Sequence, residues 1–165
     1  METQVSGGIL RIRMHSGNHH NRTSVKVYVT YVDINRISSA SAANVFTDGT
    51  LKTSSLDITC ASAASVELKV EAEKITIEVA SAGDVTLEGK AKELTLDAAS
   101  AGTVDAYNLE CERVDARAVS AGGAKVNVTK SLNAEANSGG SIRYRGNPTS
   151  TNIDSNSGGS VKKSS

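Results

Sequence analysis

Ser81–Val119 reads SAGDVTLEGKAKELTLDAA and then SAGTVDAYNLECERVDARAV. These are two copies of one unit, each opening on a serine followed by small residues. The same opening recurs at Ser41, Ser62, Ser81, Ser100, Ser120, Ser138 and Ser157, at intervals of 21, 19, 19, 20, 18 and 19 residues. A fixed period near 20 residues means stacked supersecondary units, each covering its neighbours. The L-x-x-L-x-L frame of leucine-rich repeats is absent.

Counted back from each serine, positions −6, −4 and −2 are apolar or small, as in Ile75/Ile77/Val79 and Leu94/Leu96/Ala98. Positions −5 and −3 between them are mostly polar. Counted forward, +4 and +6 resume the pattern with Val66/Leu68, Val85/Leu87 and Val104/Ala106. Period-two alternation is a strand with one buried face. The length variation falls between +6 and the next −6, which marks that segment as a permissive turn. Strand, turn, strand and a tight Ser-Ala-Gly corner in 19 residues close one coil of a parallel β-helix, with successive coils ~4.8 Å apart. The corner serines Ser62, Ser81, Ser100, Ser120 and Ser138 share the phase of −2, so they are expected to point inward or into the corner and bond its backbone. At +2, Gly83, Gly102, Gly122 and Gly140 are needed because the corner is crowded or has φ > 0.

The recurring corners, with the endings SLNAEANSGGSIRYRGNP and SNSGGSVKK, resemble the autotransporter adhesin head GIN domain family over roughly residues 5–165. The resemblance implies a single-stranded right-handed parallel β-helix in exported bacterial proteins, and it carries over no catalytic residue. Residues 1–40 then read as irregular N-terminal strands or a cap and residues 41–165 as regular coils, all in one domain. Ile9–Met14 and Val25–Val32 each alternate as a strand.

Composition fits a narrow interior, with 3% aromatics and no Trp. Net charge is zero but segregated: residues 1–47 carry +3, residues 48–117 carry −7 and residues 118–165 carry +4. No dominant basic face runs along the chain, which argues against nucleic acid. Cys60, at an inward position, and Cys111, in a permissive turn more than two coils later, are expected to be free and beyond disulfide reach. No apolar run approaches transmembrane length and Met1–Gly8 is not a signal peptide, so an exported form has its leader elsewhere.

The candidate binding residues lie on the outward faces. The −3 column runs Thr59, Glu78, Asp97, Arg117, Glu135, Asp154, with Asp115 beside it at −5. Two readings compete: an ion-pair ladder through Arg117, or a shallow acidic groove of Glu78, Asp97 and Asp115 for Ca²⁺ or a sugar. Calcium needs six to eight oxygens and glycoside hydrolysis needs two carboxylates across a cleft; a flat face with short turns supplies neither. The opposite outward column, +5, runs Glu67, Thr86, Asp105, Lys125, Arg143, Lys162, and at +7 Tyr107 is the exposed aromatic best placed to stack on a sugar. His15, His19 and His20 share one polar loop without other ligands, which predicts no metal site. The sequence therefore points to a non-enzymatic surface or envelope module without a cofactor, its partner a cell-surface glycan or protein. Carbohydrate binding or processing on the acidic face is the alternative, and end-to-end self-association a third possibility.

Overall fold

A computed structural model of the chain describes residues 1–14 and 25–164, in two compact units, Met1–Thr30 and Tyr31–Ser165. The three histidines lie outside the described residues.

In the first unit, β1 (Glu2–Ser6) and β2 (Ile9–Arg13) pair antiparallel, with Glu2 opposite Arg13 and Ser6 opposite Ile9. Gly7 and Gly8, at φ 58° and 76°, make a two-residue turn whose twist matches that of the strands. This Gly-Gly pair is a hairpin signal that a reading centred on the repeat passes over. Val25–Val32, by contrast, does not form the strand its alternation predicts. Alternation specifies a strand only when a neighbour takes its hydrogen bonds and one face is covered. Val27, Tyr28 and Val29 are all exposed, and no described strand pairs with them.

The second unit is all-β and parallel, a solenoid of about seven turns with coils of about 19 residues. Its strands are β3 (Arg36–Ser39), β4 (Asn44–Cys60), β5 (Ser65–Val79), β6 (Asp84–Ala98), β7 (Thr103–Val119), β8 (Gly123–Asn137), β9 (Ser141–Arg145), β10 (Ser150–Ser155) and β11 (Ser160–Lys163). Each pairs with the equivalent segment one coil on; β10 and β11 stack on β8 and β9. Pairing begins at Arg36, five residues before the first serine corner. Register shifts fall between Phe46 and Thr50, Thr86 and Glu88, Ala106 and Glu110, and Cys111 and Arg113, in or at the edge of the segment where the repeat length varies.

The register turns matching letters into columns. Leu56, Ile75, Leu94, Val114 and Leu132 stack in one, each at most 3% exposed, and Val66, Val85, Val104, Ala124 and Ile142 in another. Volume is exchanged within coils. From β6 to β7 the core loses bulk where Leu87 gives way to Ala106 and Leu96 to Ala116. It regains bulk on the turn side, where Gly89 gives way to Leu109 and Ala91 to Cys111. A close-packed interior requires such compensation.

The corners are in register but differ from expectation. Ser81 and Ala82 both have positive φ (52° and 59°), and Gly83 N–H donates to Ala80 O at 3.0 Å. Ser62, Ser100 and Ser120 repeat this with their alanines, and Ser138 with Gly139. Two successive left-handed residues reverse the chain in a mirror-type turn, which puts the serine side chain outside: all five serines are exposed. Their contribution runs through the backbone, since Ala63, Ala82, Ala101 and Ala121 N–H donate to the serine carbonyl of the next corner at 3.1–3.2 Å. In two coils the side chain that bonds the corner sits at −2: Ser39 Oγ donates to Ala43 O and Cys60 Sγ to Ala64 O, each at 3.1 Å. The glycines at +2 answer to crowding, not to φ. A Cβ at Gly83 or Gly102 would lie 2.8 Å from the carbonyl oxygen of the coil before, and at Gly122 or Gly140 2.0 and 2.1 Å.

Candidate functional site

The leg before each corner carries the −5 and −3 columns. Glu78, Asp97, Arg117, Glu135 and Asp154 stand in register on successive coils. Arg117 lies between two carboxylates, with Nη1 3.4 Å from Asp97 Oδ2 and Nε 3.5 Å from Glu135 Oε1. Glu78 pairs in register with Asp97, which puts two acidic residues on adjacent coils. Asp115 is in the neighbouring column between Thr95 and Asn133, with no second carboxylate above or below it.

The leg after the corner carries Tyr107. Expected to be exposed, its ring is half-buried. Lys125 Nζ is 5.7 Å and the Arg145 guanidinium 5.3 Å from its centroid, a cation–π clamp. Arg145 also donates to the Tyr107 carbonyl, and the phenol hydroxyl is hydrogen-bonded to Ser164.

The third side of each coil is the variable turn segment, and here the structure places a feature the sequence reading missed. A groove of about 320 Å³ opens across four coils, with Ala91 and Cys111 on its floor. Its rim carries Glu71, Lys90, Lys92, Glu110 and Glu112, on a side of the coil where charges alternate from coil to coil. Lys52, Glu71, Lys90 and Glu110 follow one another in register, and Lys74, Glu93 and Arg113 form a second alternating column. Neighbouring coils are joined by Lys52–Glu71 (2.9 Å), Lys92–Glu73 (2.6 Å), Arg113–Glu93 (2.6 Å) and Lys130–Glu112 (2.7 Å). The hydrogen bond from Lys92 holds Glu73 below the usual carboxylate range, and that from Lys130 does the same to Glu112. The signal was available in the alternation of Lys and Glu every 19 or 20 residues.

Chemically this groove is quiet. Burial, then the nearby Glu110, push the Cys111 thiol up to about 12, so it is neither ionised nor nucleophilic at neutral pH. Cys60 is also raised, chiefly by burial. Both cysteines are free. Among the described residues, no three His, Cys, Asp or Glu side chains converge as a metal site would require, and no helix is long and apolar enough to cross a membrane.

No curated protein matches the sequence. Two solved structures share the architecture. A "putative adhesin" from Bacteroides fragilis NCTC 9343 is 30% identical with a TM-score of 0.75, over 79% of this chain and 61% of that one. A "putative lipid binding protein" from Parabacteroides distasonis ATCC 8503 is 22% identical with a TM-score of 0.71, over 81% of this chain and 55% of that one, and shows the fold alone. The chain thus spans less than two thirds of either neighbour. The family model described as "Putative auto-transporter adhesin, head GIN domain" matches residues 1–148, and with nine-tenths of its length matched the chain belongs to that family.

Proposed function

We propose that the chain is a non-enzymatic interaction module of an exported protein, presenting flat, rigid ladders of side chains to a glycan or protein at the cell surface. The observation that carries this reading is how the outward charges are arranged. Arg117, Lys52, Lys92, Arg113 and Lys130 are each tied to a carboxylate on an adjacent coil, across faces whose backbone is fixed by in-register pairing. A side chain engaged in such a ladder is positioned for contact, not for proton transfer to a substrate held in a cleft. Membership of an adhesin-named family and the description of the Bacteroides fragilis neighbour support the same reading.

The experiment is adhesion of beads coated with the purified chain to glycan arrays and cell surfaces, run beside depolymerisation assays on acidic polysaccharides. Binding without turnover is expected. Release of reducing or unsaturated ends would overturn the reading. A second reading, carbohydrate binding on the acidic face, is favoured by the adjacency of Glu78 and Asp97. It requires that Asp97→Ala abolish binding.

A further inference from the structure

The columns on the turn side of the solenoid keep one rule that the column at +5 breaks. On the turn side charges alternate in sign from coil to coil, Lys52–Glu71–Lys90–Glu110 and Lys74–Glu93–Arg113, while the leg before the corner stacks acid on acid at Glu78–Asp97 and Glu135–Asp154 with Arg117 between the two pairs. Stacked side chains ~5 Å apart interact as cross-strand pairs do, so alternation stabilises and like charges in succession destabilise. In the +5 column three cations follow one another in register, Lys125, Arg143 and Lys162. Lys125 is held by Asp105 at 2.9 Å. Arg143 and Lys162 make no ion pair among the described residues. The acidic residues after position 118 are Glu135 and Asp154, and both stand on the other leg of the coil.

The surroundings of this column are prepared rather than loose. Arg145, two residues on from Arg143, is fixed against the Tyr107 ring and carbonyl, and Lys125 lies over the same ring. Lys163, beyond Lys162, donates to Asn147 Oδ1 at 2.8 Å. The result is a line of positive charge along the solenoid axis, one step per coil, with the flanking cations already anchored.

We propose that Lys125, Arg143 and Lys162 form a binding ladder for a linear acidic polysaccharide, one bearing a carboxylate or sulfate on successive sugars. The charges form a single line, which suits a polymer better than a plane of headgroups. Interfacial binding to a membrane also calls for apolar side chains beside the cations; among the described residues, the exposed large apolar side chains of the second unit are Tyr31 and Val32, at its start, Phe46, at the far end of the same column, and Ile153, on the other leg. Single-stranded nucleic acid needs open aromatic faces, and Tyr107 is half-buried with two cations against it. The proposal rests on the reading of the chain as an interaction module and names its ligand class.

The test is equilibrium binding of the full chain to polygalacturonate, with neutral dextran, vesicles containing an anionic phospholipid, and single-stranded DNA as comparisons. Binding to polygalacturonate is expected to weaken as salt rises. Arg143→Ala with Lys162→Ala is expected to lower affinity at least about tenfold, as loss of two charge-assisted contacts implies. Lys74→Ala with Lys90→Ala, which removes the same charge from two alternating columns, is expected to lower it less than about threefold. Each of these sites is exposed, and a matching thermal midpoint for the two double variants establishes that both are folded. Equal affinity of the two double variants would overturn the ladder, as would no preference for polygalacturonate over dextran, or tighter binding to the vesicles or the DNA. Binding accompanied by chain cleavage would leave the ladder standing and overturn the non-enzymatic reading, so the two fail separately.

Discussion

Gly122 lies directly against Ala98: a Cβ on the glycine would sit 2.0 Å from the alanine carbonyl oxygen. That oxygen belongs to the backbone of the previous coil, so it cannot turn aside as a flexible side chain would. Gly122→Ala is therefore expected to push neighbouring coils apart locally and to cost more than about 3 kcal/mol, the range of overpacking in a filled interior and beyond. At Gly83 the same Cβ would be 2.8 Å from the Cys60 oxygen, and the equivalent position one coil earlier is a buried alanine, Ala64. Gly83→Ala is expected to cost distinctly less than Gly122→Ala. Urea denaturation of the two variants measures the difference, and equal losses would show that crowding does not select glycine here.

The corner also holds residues under strain. Ala101 has φ 61° and Ser100 before it φ 49°, a region that costs an L-residue about 1–2 kcal/mol. The corners at Ser138 and Ser157 put glycine at the alanine position. Ala101→Gly is expected to raise stability by up to about 1 kcal/mol, because relief of strain exceeds the added entropy of the unfolded chain. A higher thermal midpoint for Ala101→Gly is the outcome that supports this account.

Much of this architecture was legible in the letters. The columns of Leu56, Ile75, Leu94 and Val114 needed only the period and the alternation, since a two-residue phase against a fixed corner leaves one choice of buried face. The corner serines were placed correctly in register and wrongly in direction. Two successive left-handed residues reverse the chain, and nothing in SAG announces them, because mirror-type turns normally carry Asn or Gly. Val25–Val32 failed because alternation does not reveal whether a partner strand exists. The groove was passed over because Lys52, Glu71, Lys90 and Glu110 lie where the repeat changes length, a segment that reads as a permissive turn and not as a column of its own.

Cys111 gives a pH prediction. Its thiol is raised from an ordinary value of 9.0 to about 12 in the folded chain. Between these values the unfolded chain has lost the proton and the folded chain keeps it, so stability falls as pH rises from 9 toward 12. Cys60 acts in the same direction. Cys111→Ala is expected to flatten the fall above pH 9 in a series of denaturation curves. In the native wild type both thiols are expected to resist a thiol-reactive dye at pH 8 and to react on unfolding. Prompt labelling of the native protein would contradict their burial.

Arg117 tests how much the surface ladders contribute to stability. It touches Asp97 at 3.4 Å and Glu135 at 3.5 Å, and all three side chains are about half exposed. Exposed pairs are typically worth less than about 1 kcal/mol each, since solvent screens the attraction and two side chains must be held still. Arg117→Ala is expected to change stability by no more than about 1 kcal/mol at moderate salt. It removes the cation that separates Asp97 from Glu135, however, and leaves Glu78, Asp97 and Glu135 as an acidic column with no cation among them. The loss is therefore expected to be larger at low salt and to shrink as salt is added, a sign that the missing cation relieved like-charge repulsion. A salt-independent loss would instead assign Arg117 a packing role through its aliphatic stem.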